Sequence, residues 1–311
     1  MMLDDIGSFP LPKGITREWV ERNLHTKEYE EMVQRAFLMK AKVLDAPTYP
    51  QFRDMIEMFM QPIKANQVEP YLIDERKAVI PELEYVEKMS VEAVRVCITG
   101  PFELYYREFG GVIYEDILLN LAESVRRFVE NAAKHENVVC ISIDEPSLGI
   151  APDLQPDEEL LQKALDYKVK QDVQIHLHEP LYYEKILETS VDVIGIECAK
   201  KPENMDFIDA EAVASAEKKL RIGVARSDID GIIAEFNALH GVNAWGNEEL
   251  ISLAIDEIEP VEKIAERISK AKERFGDLLA YIGPDCGLFS FPSQELALQL
   301  LENVRKAVRE G

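Results

Sequence analysis

The stretch VQIHLHEPLYYEKILETSVDVIGIE, residues 173–197, indicates the fold class. It begins with a β-rich run, continues through a charged segment of helical periodicity, and ends in a second, largely apolar run. A strand, a helix and a second strand in this order form the repeating unit of a parallel α/β sheet. This stretch therefore predicts one strand–helix–strand unit.

The same alternation extends outward from this stretch in both directions. Several of the β-rich runs are apolar nearly throughout, which is typical of parallel strands covered on both faces. Eight runs in a chain of 311 residues predict one α/β domain over residues 1–311, a closed (β/α)₈ barrel of the TIM type. The predicted strands are residues 3–8, 42–46, 94–99, 138–144, 173–178, 191–197, 220–225 and 278–283.

The segments between the strands predict helices and two long insertions. Residues 47–89 and 226–259 exceed an ordinary βα loop, and insertions of this kind in barrels form walls or lids over the active face. The predicted helices are residues 26–40, 114–134, 157–170, 180–189, 210–218, 260–275 and 293–309.

Composition excludes several classes of protein. With 35 Lys and Arg against 58 Asp and Glu, the net charge of −23 disfavours binding to nucleic acid or to anionic membrane. No apolar run reaches the ~18 residues of a membrane span, and the acidic start MMLDDIGSFP lacks the positive charge of a signal peptide, so we expect a cytoplasmic protein. The four cysteines contain no C-x-x-C pair, which argues against a disulfide framework or a zinc finger.

Four potential metal ligands lie at or just beyond the ends of three of the predicted strands. His176 and His178 are two residues apart, so on a strand their side chains point the same way. Glu197 ends the next strand, and Cys286 lies in the turn IGPDCGL after the last one. Each residue alone is more often a packing or solvated group, but at the ends of barrel strands the four offer N, N, O and S ligands, a set that suits Zn²⁺.

Two further strand ends carry polar groups that could bind a substrate. The segment IDEPSLG, residues 143–149, places Asp144 and Glu145 where they could recognise an ammonium group or act as general acid and base. The alternative is that this Asp caps a helix from the βα loop. In IGSFP, residues 6–10, the glycine amide and Ser8 could bind a carboxylate.

In their order these segments resemble one family. IGSFP, TGP at residues 99–101, IDEPSLG, H-x-H at 176–178, IE at 196–197 and PDCGL at 284–288 follow one another as in the catalytic barrel of cobalamin-independent methionine synthase. The similarity covers nearly the whole chain. The chain resembles the short archaeal form of the family, which lacks the additional N-terminal barrel. It implies zinc-dependent methyl transfer to the thiol of homocysteine, which yields methionine.

The resemblance also assigns roles to residues. It implies zinc ligation by His176, Glu197 and Cys286, with His178 as the fourth ligand where the family has a cysteine. Exchanging a thiolate for a neutral imidazole removes one negative charge from the ligand set, which favours ionisation of a bound thiol and makes its sulfur less electron-rich.

For the amino-acid part of homocysteine, the resemblance implies Ser8 and Asp144. The family's acidic H-G-E segment has no counterpart here, and Tyr49 or a neighbour stands in its place. The family's catalytic histidine is also missing from the segment RSDID at 226–230. Its role would pass to one of three residues, Asp228, Asp230 or His240.

The segment TGPFELYYREF, residues 99–109, bears on the methyl donor. It puts Arg107 where the long enzymes of the family carry a tryptophan against the folate pterin, although Tyr105 or Tyr106 could stack instead. We therefore expect methylcobalamin or a methylated corrinoid protein as donor and partner, with 5-methyltetrahydrofolate as the alternative.

The motifs also leave open a methylcobalamin:coenzyme M methyltransferase and a non-enzymic zinc- or thiol-binding protein. A uroporphyrinogen decarboxylase is disfavoured because the N-terminal segment has few arginines.

Overall fold

A curled parallel sheet of seven strands forms the centre of the fold in the computed structural model, which describes residues 1–310. The spatial order is β1-β9-β8-β7-β6-β5-β4, and β2 pairs with β3 in a separate antiparallel hairpin. The strands are β1 (Met2–Leu3), β2 (Gln67–Glu69), β3 (Leu72–Ile73), β4 (Val94–Thr99), β5 (Val138–Asp144), β6 (Asp172–Leu177), β7 (Val193–Ile196), β8 (Lys219–Ala225) and β9 (Leu279–Pro284).

Helices follow most of the parallel strands and cover the sheet. The amphipathic helices turn their apolar faces inward, so strands such as β4 and β7 are buried throughout. The α-helices are α1 (Arg17–Asn23), α2 (Lys27–Ala41), α3 (Glu57–Ala65), α4 (Pro81–Glu87), α5 (Pro101–Phe109), α6 (Glu115–Ala132), α7 (Glu158–Ala164), α8 (Tyr183–Leu187), α9 (Ala210–Ser215), α10 (Ile229–His240), α11 (Glu248–Ile258), α12 (Val261–Phe275) and α13 (Gln294–Glu310).

The predicted strand at residues 42–46 is wrong, and the sheet has seven regular strands rather than eight. Residues 46–51 lie between the two edge strands, and their backbone forms isolated parallel bridges in place of a continuous ladder, Asp4 to Ala46, Ser8 to Gln51 and Thr48 to Arg95. Pro47 and Pro50 lack the N–H groups that a continuous ladder requires. The α/β class and the parallel strands are as predicted. The predicted closed barrel of eight strands is not formed by regular strands, because no strand within residues 1–310 pairs β1 with β4.

Three predicted helices are shorter than expected. The helix predicted at 157–170 ends at Ala164. Beyond it, the Ser190 hydroxyl satisfies the backbone in place of helical hydrogen bonds, since it donates to the carbonyl of Leu165 and accepts from the N–H of Tyr167. The helix predicted at 180–189 divides into a 3₁₀ turn and the short α8, and that predicted at 210–218 ends at Ser215.

The two long insertions have secondary structure of their own. Residues 47–89 contain α3, the β2–β3 hairpin and α4, and residues 226–259 contain the pair α10 and α11. Their role as walls of an active face stays a prediction. Across residues 1–310, no helix combines the length and the apolarity needed to cross a membrane.

Buried ion pairs connect distant strands inside the curl of the sheet. Asp4 accepts from Arg221 of β8 (Nε–Oδ1 2.9 Å) and pairs with Arg95 of β4 (Nε–Oδ2 3.2 Å), and all three side chains are fully buried. Beside them, Lys40 of α2 pairs with Asp5 (Nζ–Oδ2 2.6 Å). Because β8 and β4 are the third and seventh strands in the sheet, one carboxylate reaches both only if the sheet curls strongly.

Candidate metal centre

The four predicted metal ligands come together at the carboxyl ends of three strands. One ligand atom from each of His176, His178, Glu197 and Cys286 lies within 4.8 Å of the others. The Nε2 atoms of His176 and His178 are 3.9 and 3.3 Å from Glu197 Oε1, and Cys286 Sγ is 3.6 Å from His178 Nε2. The described residues thus form one cluster with two imidazoles, one carboxylate and one thiol.

Strand geometry explains this convergence. His176 belongs to β6 and His178 follows its last residue, so the alternation of side chains puts both imidazoles on the same face. Glu197 follows β7, and Cys286 lies two residues beyond β9. Parallel strands end at the same edge of a sheet, where α/β barrels carry their functional groups.

The donor set fits a zinc ion. His176 is 2% exposed, and neither of its ring nitrogens has a hydrogen-bond partner among residues 1–310. A buried imidazole without partners is energetically costly, and a bound cation would remove that cost. Two imidazoles, a thiolate and a carboxylate are ligands that zinc accepts, whereas Mg²⁺ and Ca²⁺ favour oxygen alone.

Burial shifts the pKa of every member of the cluster in the direction that favours the neutral form of the side chain. It lowers the pKa of His176 and of His178, and it raises that of Cys286. Burial, reinforced by the neighbouring Asp285 carboxylate, raises the pKa of Glu197 to about 8. A divalent cation would reverse these preferences for the carboxyl and thiol groups, since metal ligands bind in their deprotonated forms.

Asp285 holds the two halves of the cluster together, and sequence reasoning missed it. Its carboxylate accepts the backbone N–H groups of Cys198 and Ala199 at Oδ1 (3.0 and 2.8 Å) and that of Lys200 at Oδ2 (2.8 Å). The loop after Glu197 is thereby tied to the turn that presents Cys286. The one signal in the sequence was an aspartate directly before the cysteine in PDCGL, but its partners lie more than 80 residues away.

A cavity of about 250 Å³ lies beside the cluster. Asp228 and Lys200 line it together with three of the four ligand residues, and they form an ion pair at 2.9 Å. Although burial opposes ionisation, hydrogen bonds from Arg226 and Lys200 hold the pKa of Asp228 below its usual range. Asp228 is therefore ionised at neutral pH. Of the three predicted catalytic residues, it alone lines this cavity.

Asp230 and His240 lie elsewhere on α10. Asp230 is exposed in the first turn of the helix. His240 is its last residue, and its Nε2 atom lies 2.8 Å from the exposed Glu257 carboxylate of α11. Neither residue lines the cavity beside the metal cluster.

The predicted substrate-binding residues have different surroundings. Asp144 lies beside His176 in the β5–β6 register, and its Oδ1 accepts from the Ser142 hydroxyl (2.7 Å). Burial raises the pKa of Asp144. Ser8 lines a second cavity of about 500 Å³.

Glu145 and Tyr49 are engaged by the protein itself. Both carboxylate oxygens of Glu145 accept backbone N–H groups at the start of α5, from Phe102 (2.9 Å) and Glu103 (2.7 Å). The Tyr49 hydroxyl is buried and donates to the carbonyl of Cys97 (2.5 Å). A substrate would have to displace these contacts to use either group.

Fold and site together define an α/β protein with a cluster of four potential metal ligands at the carboxyl end of its sheet. No protein-family profile matches the chain. Curated relatives named methionine synthase come from Sulfolobus acidocaldarius (22% identity, 97% of this chain and 89% of that protein), Thermoplasma volcanium (26%, 72% and 65%) and Thermoplasma acidophilum (24%, 76% and 67%).

A solved structure has the same fold. The B12-independent methionine synthase from Shewanella sp. W3-18-1, in complex with selenomethionine, aligns with 99% of this chain and 97% of its own at a TM-score of 0.61 and 14% identity. Together with the curated relatives, this match supports the family that the sequence motifs predict, that of cobalamin-independent methionine synthase.

Proposed function

We propose that the protein is a zinc-dependent methyltransferase that moves a methyl group to the thiol of homocysteine and so forms methionine. The observation that carries this proposal is the cluster of His176, His178, Glu197 and Cys286 in a chain whose curated relatives are named methionine synthase. A metal site at the carboxyl end of an α/β sheet is where such chemistry is expected.

The cluster would hold zinc through His176, Glu197 and Cys286, with His178 as the fourth ligand. When bound, Zn²⁺ supplies a positive charge that lowers the pKa of a substrate thiol and so favours the nucleophilic thiolate. His178 is the more exposed of the two imidazoles and lines the cavity, so it stands between the buried ligands and an entering substrate.

The remaining residues would bind and orient homocysteine. Asp144, beside His176, is assigned to the substrate ammonium, with which it forms a charge-assisted hydrogen bond. Ser8 is assigned to the carboxylate. Asp228 is ionised and lines the cavity, so it can accept a hydrogen bond from the substrate.

The proposed donor is methylcobalamin, free or on a corrinoid protein. The methyl–cobalt bond breaks with both electrons remaining on cobalt, a sulfur lone pair forms the new carbon–sulfur bond, and the thiol proton leaves, which gives methionine and cob(I)alamin.

The surroundings of α5 support this donor over folate. Arg107 pairs with Glu103 (2.7 Å), and the Tyr105 hydroxyl donates to the carbonyl of Val112 (2.7 Å) while its ring is buried. Neither of these two offers a free platform for a pterin, and the half-buried Tyr106, whose hydroxyl donates to Asp153 Oδ1 (3.1 Å), remains the alternative.

Metal analysis and a donor comparison test the proposal. We expect about one zinc per chain, and methionine when the protein is incubated with homocysteine and methylcobalamin. If methionine forms only from 5-methyltetrahydrofolate, as mono- or polyglutamate, the proposed donor is wrong and homocysteine remains the proposed acceptor. Methylation of coenzyme M in place of homocysteine would overturn the acceptor, and zinc without turnover would indicate a binding protein.

A further inference from the structure

A second cavity adjoins the metal centre. It has a volume of about 500 Å³, and Ser8 forms part of its wall. Ser8 also packs against Gly287 of the metal-site cavity so closely that a Cβ atom on this glycine would lie 1.8 Å from Ser8 Oγ. The two cavities are therefore neighbours, separated by this contact. A molecule in the second cavity would lie next to a substrate at the metal centre.

Arg53 brings a nearly buried positive charge to the wall of this cavity. The residue is 7% exposed. Within residues 1–310, its guanidinium forms one hydrogen bond, in which Nε donates to Glu21 Oε1 at 3.4 Å. Its two terminal nitrogens have no hydrogen-bond partner there. Arginine carries five N–H donors in a planar fork, and a largely desolvated guanidinium needs partners for them.

Two more arginines line the same cavity. Arg17 reaches Asp54 through one nitrogen (3.3 Å) and stacks over Phe289 at 4.2 Å from the ring centroid. Arg107 uses its Nε for Glu103 (2.7 Å). Unlike Arg53, both side chains are about half exposed, at 47% for Arg17 and 59% for Arg107, so their other nitrogens are open to solvent and can donate to a ligand in the cavity.

Acidic residues also line the cavity, but two of them have cationic or backbone partners. Asp54 accepts the backbone N–H groups of Ile56 and Glu57 at the start of α3. Glu108 accepts from Lys64 (2.7 Å) and from the Tyr71 hydroxyl (2.9 Å). Glu57 is exposed to solvent. Each of the three arginines pairs with one carboxylate, Arg53 with Glu21, Arg17 with Asp54 and Arg107 with Glu103. Their remaining N–H donors converge on one cavity, which suits it to an anion that can accept several hydrogen bonds.

We propose that Arg53, Arg17 and Arg107 form an oxyanion subsite that binds a phosphodiester or carboxylate carried by the methyl donor. The donor's reactive end would then point past Ser8 toward the metal centre. Guanidinium forks bind such groups through paired, charge-assisted hydrogen bonds. The assignment to the donor rests on the proposed function, whereas the affinity for an oxyanion does not.

Direct binding tests the subsite without any turnover. Inorganic pyrophosphate is titrated into the purified full-length protein by calorimetry. Arg53→Met should weaken its binding by about tenfold to a hundredfold, and Arg17→Met by a smaller factor, because charge-assisted hydrogen bonds are lost. Arg53→Lys keeps the charge but loses the fork, so it should fall between wild type and Arg53→Met.

Arg76→Met serves as the matched control, since Arg76 is 86% exposed in its side chain and pairs with Asp74 away from the cavity. It should bind pyrophosphate like wild type. Circular dichroism checks that each variant is folded, and Arg17→Met keeps the test decisive if Arg53→Met fails to fold. Equal pyrophosphate affinity in wild type, Arg17→Met and Arg53→Lys would overturn the subsite.

Donor kinetics identify the source of the anion. Methylcobinamide lacks the phosphate and nucleotide of methylcobalamin, so Arg53→Lys should raise the KM for methylcobalamin several-fold and leave that for methylcobinamide unchanged. A rise for 5-methyltetrahydrofolate, larger with the polyglutamate, would identify a carboxylate instead. An equal change for all donors would overturn the assignment to the donor. Arginine-dependent pyrophosphate binding with no methionine from any donor would refute the proposed function and retain the oxyanion subsite.

Discussion

His176 brings a fully desolvated imidazole to the end of β6, and its surroundings supply no hydrogen bond within residues 1–310. Most buried polar groups in proteins have a partner, so an imidazole without one is suited to ligate a metal ion. The neighbouring thiol of Cys286 and carboxyl of Glu197 are likewise held in neutral forms by burial. At the scale of single residues, the site is arranged to gain free energy from a cation.

Cys286→Ser tests this arrangement. We expect the variant to lose most of its zinc and all methionine formation, because a hydroxyl is a far poorer zinc ligand than a thiolate. Elemental analysis of the dialysed protein measures the loss. Cys140→Ser is the matched control, since Cys140 is buried in β5 outside the cluster and should leave zinc unchanged. Full zinc occupancy in Cys286→Ser would rule out the thiolate as a ligand.

Asp144→Asn tests the site proposed for the substrate ammonium. Loss of a charge-assisted hydrogen bond in a buried setting, about 1.5–3 kcal/mol, should raise the homocysteine KM by about one to two powers of ten. Zinc content should stay unchanged. Initial rates at varied homocysteine measure the effect, and an unchanged KM would place the ammonium elsewhere.

Glu145→Gln provides the comparison with the adjacent carboxylate. Because Glu145 accepts two N–H groups at the start of α5, an amide nitrogen placed there should lower stability and leave the homocysteine KM within about twofold of wild type. An increase in KM as large as that of Asp144→Asn would instead assign Glu145 to the substrate.

At the scale of elements, the cluster of four potential ligands depends on how the loops after β7, β8 and β9 are joined. The backbone N–H of Asp285 donates to the carbonyl of Ala225 (2.8 Å), and that of Cys286 donates to the Ser227 hydroxyl (3.0 Å). The Asp285 carboxylate then reaches the loop after Glu197. Gly223 of β8 leaves the space, since a Cβ atom there would lie 2.1 Å from Asp285 Oδ1.

Asp285→Asn should loosen this connection. An amide nitrogen facing a backbone N–H loses one hydrogen bond and leaves a buried donor unsatisfied, which should lower the free energy of unfolding by about 1–3 kcal/mol. We also expect zinc affinity to fall by about tenfold to a hundredfold, as for residues that orient metal ligands. Urea denaturation and a competitive zinc titration measure the two effects.

Asp209→Asn is the control for this prediction. Asp209 caps α9 by accepting the N–H groups of Glu211 and Ala212, and asparagine caps helices about as well as aspartate. Its stability and zinc affinity should match wild type. If Asp285→Asn also binds zinc with wild-type affinity, the connection between the two loops does not position the ligands.

At the scale of the whole molecule, buried charges hold the curl of the sheet. Asp4 joins Arg95 and Arg221 across strands that are far apart in the sheet order, and Asp5 joins Lys40 from α2. Removing one member of such a network is costly because the partner remains buried without compensation.

Lys40→Met should therefore lower the free energy of unfolding by about 3–5 kcal/mol, since Asp5 would remain as a buried, unpaired carboxylate. Lys88→Met is the matched control, because Lys88 and Glu30 form a pair of the same 2.6 Å length that is open to solvent. Exposed pairs contribute about 0–1 kcal/mol. Urea denaturation of both variants measures the difference, and equal midpoints would contradict the structural role of the network.

Sequence patterns alone establish the α/β class, six of the eight strand positions and the group of four candidate ligands, whereas the strand predicted at 3–8 is reduced to Met2–Leu3. These features depend on short-range order in the chain. Apolar runs and the alternation of side chains along a strand place His176 and His178 on the same face, and the strand ends bring Glu197 and Cys286 to one edge of the sheet.

Which polar groups remain free for a ligand depends instead on the tertiary structure. Glu145 is occupied by N–H groups about 40 residues away in sequence, Tyr49 by a carbonyl of β4, and Asp285 by a loop more than 80 residues away. The convergence of Arg17, Arg53 and Arg107 on one cavity is likewise set by long-range packing. Hydrogen-bond partners and burial arise only when distant segments meet, so no local pattern of residues could specify them.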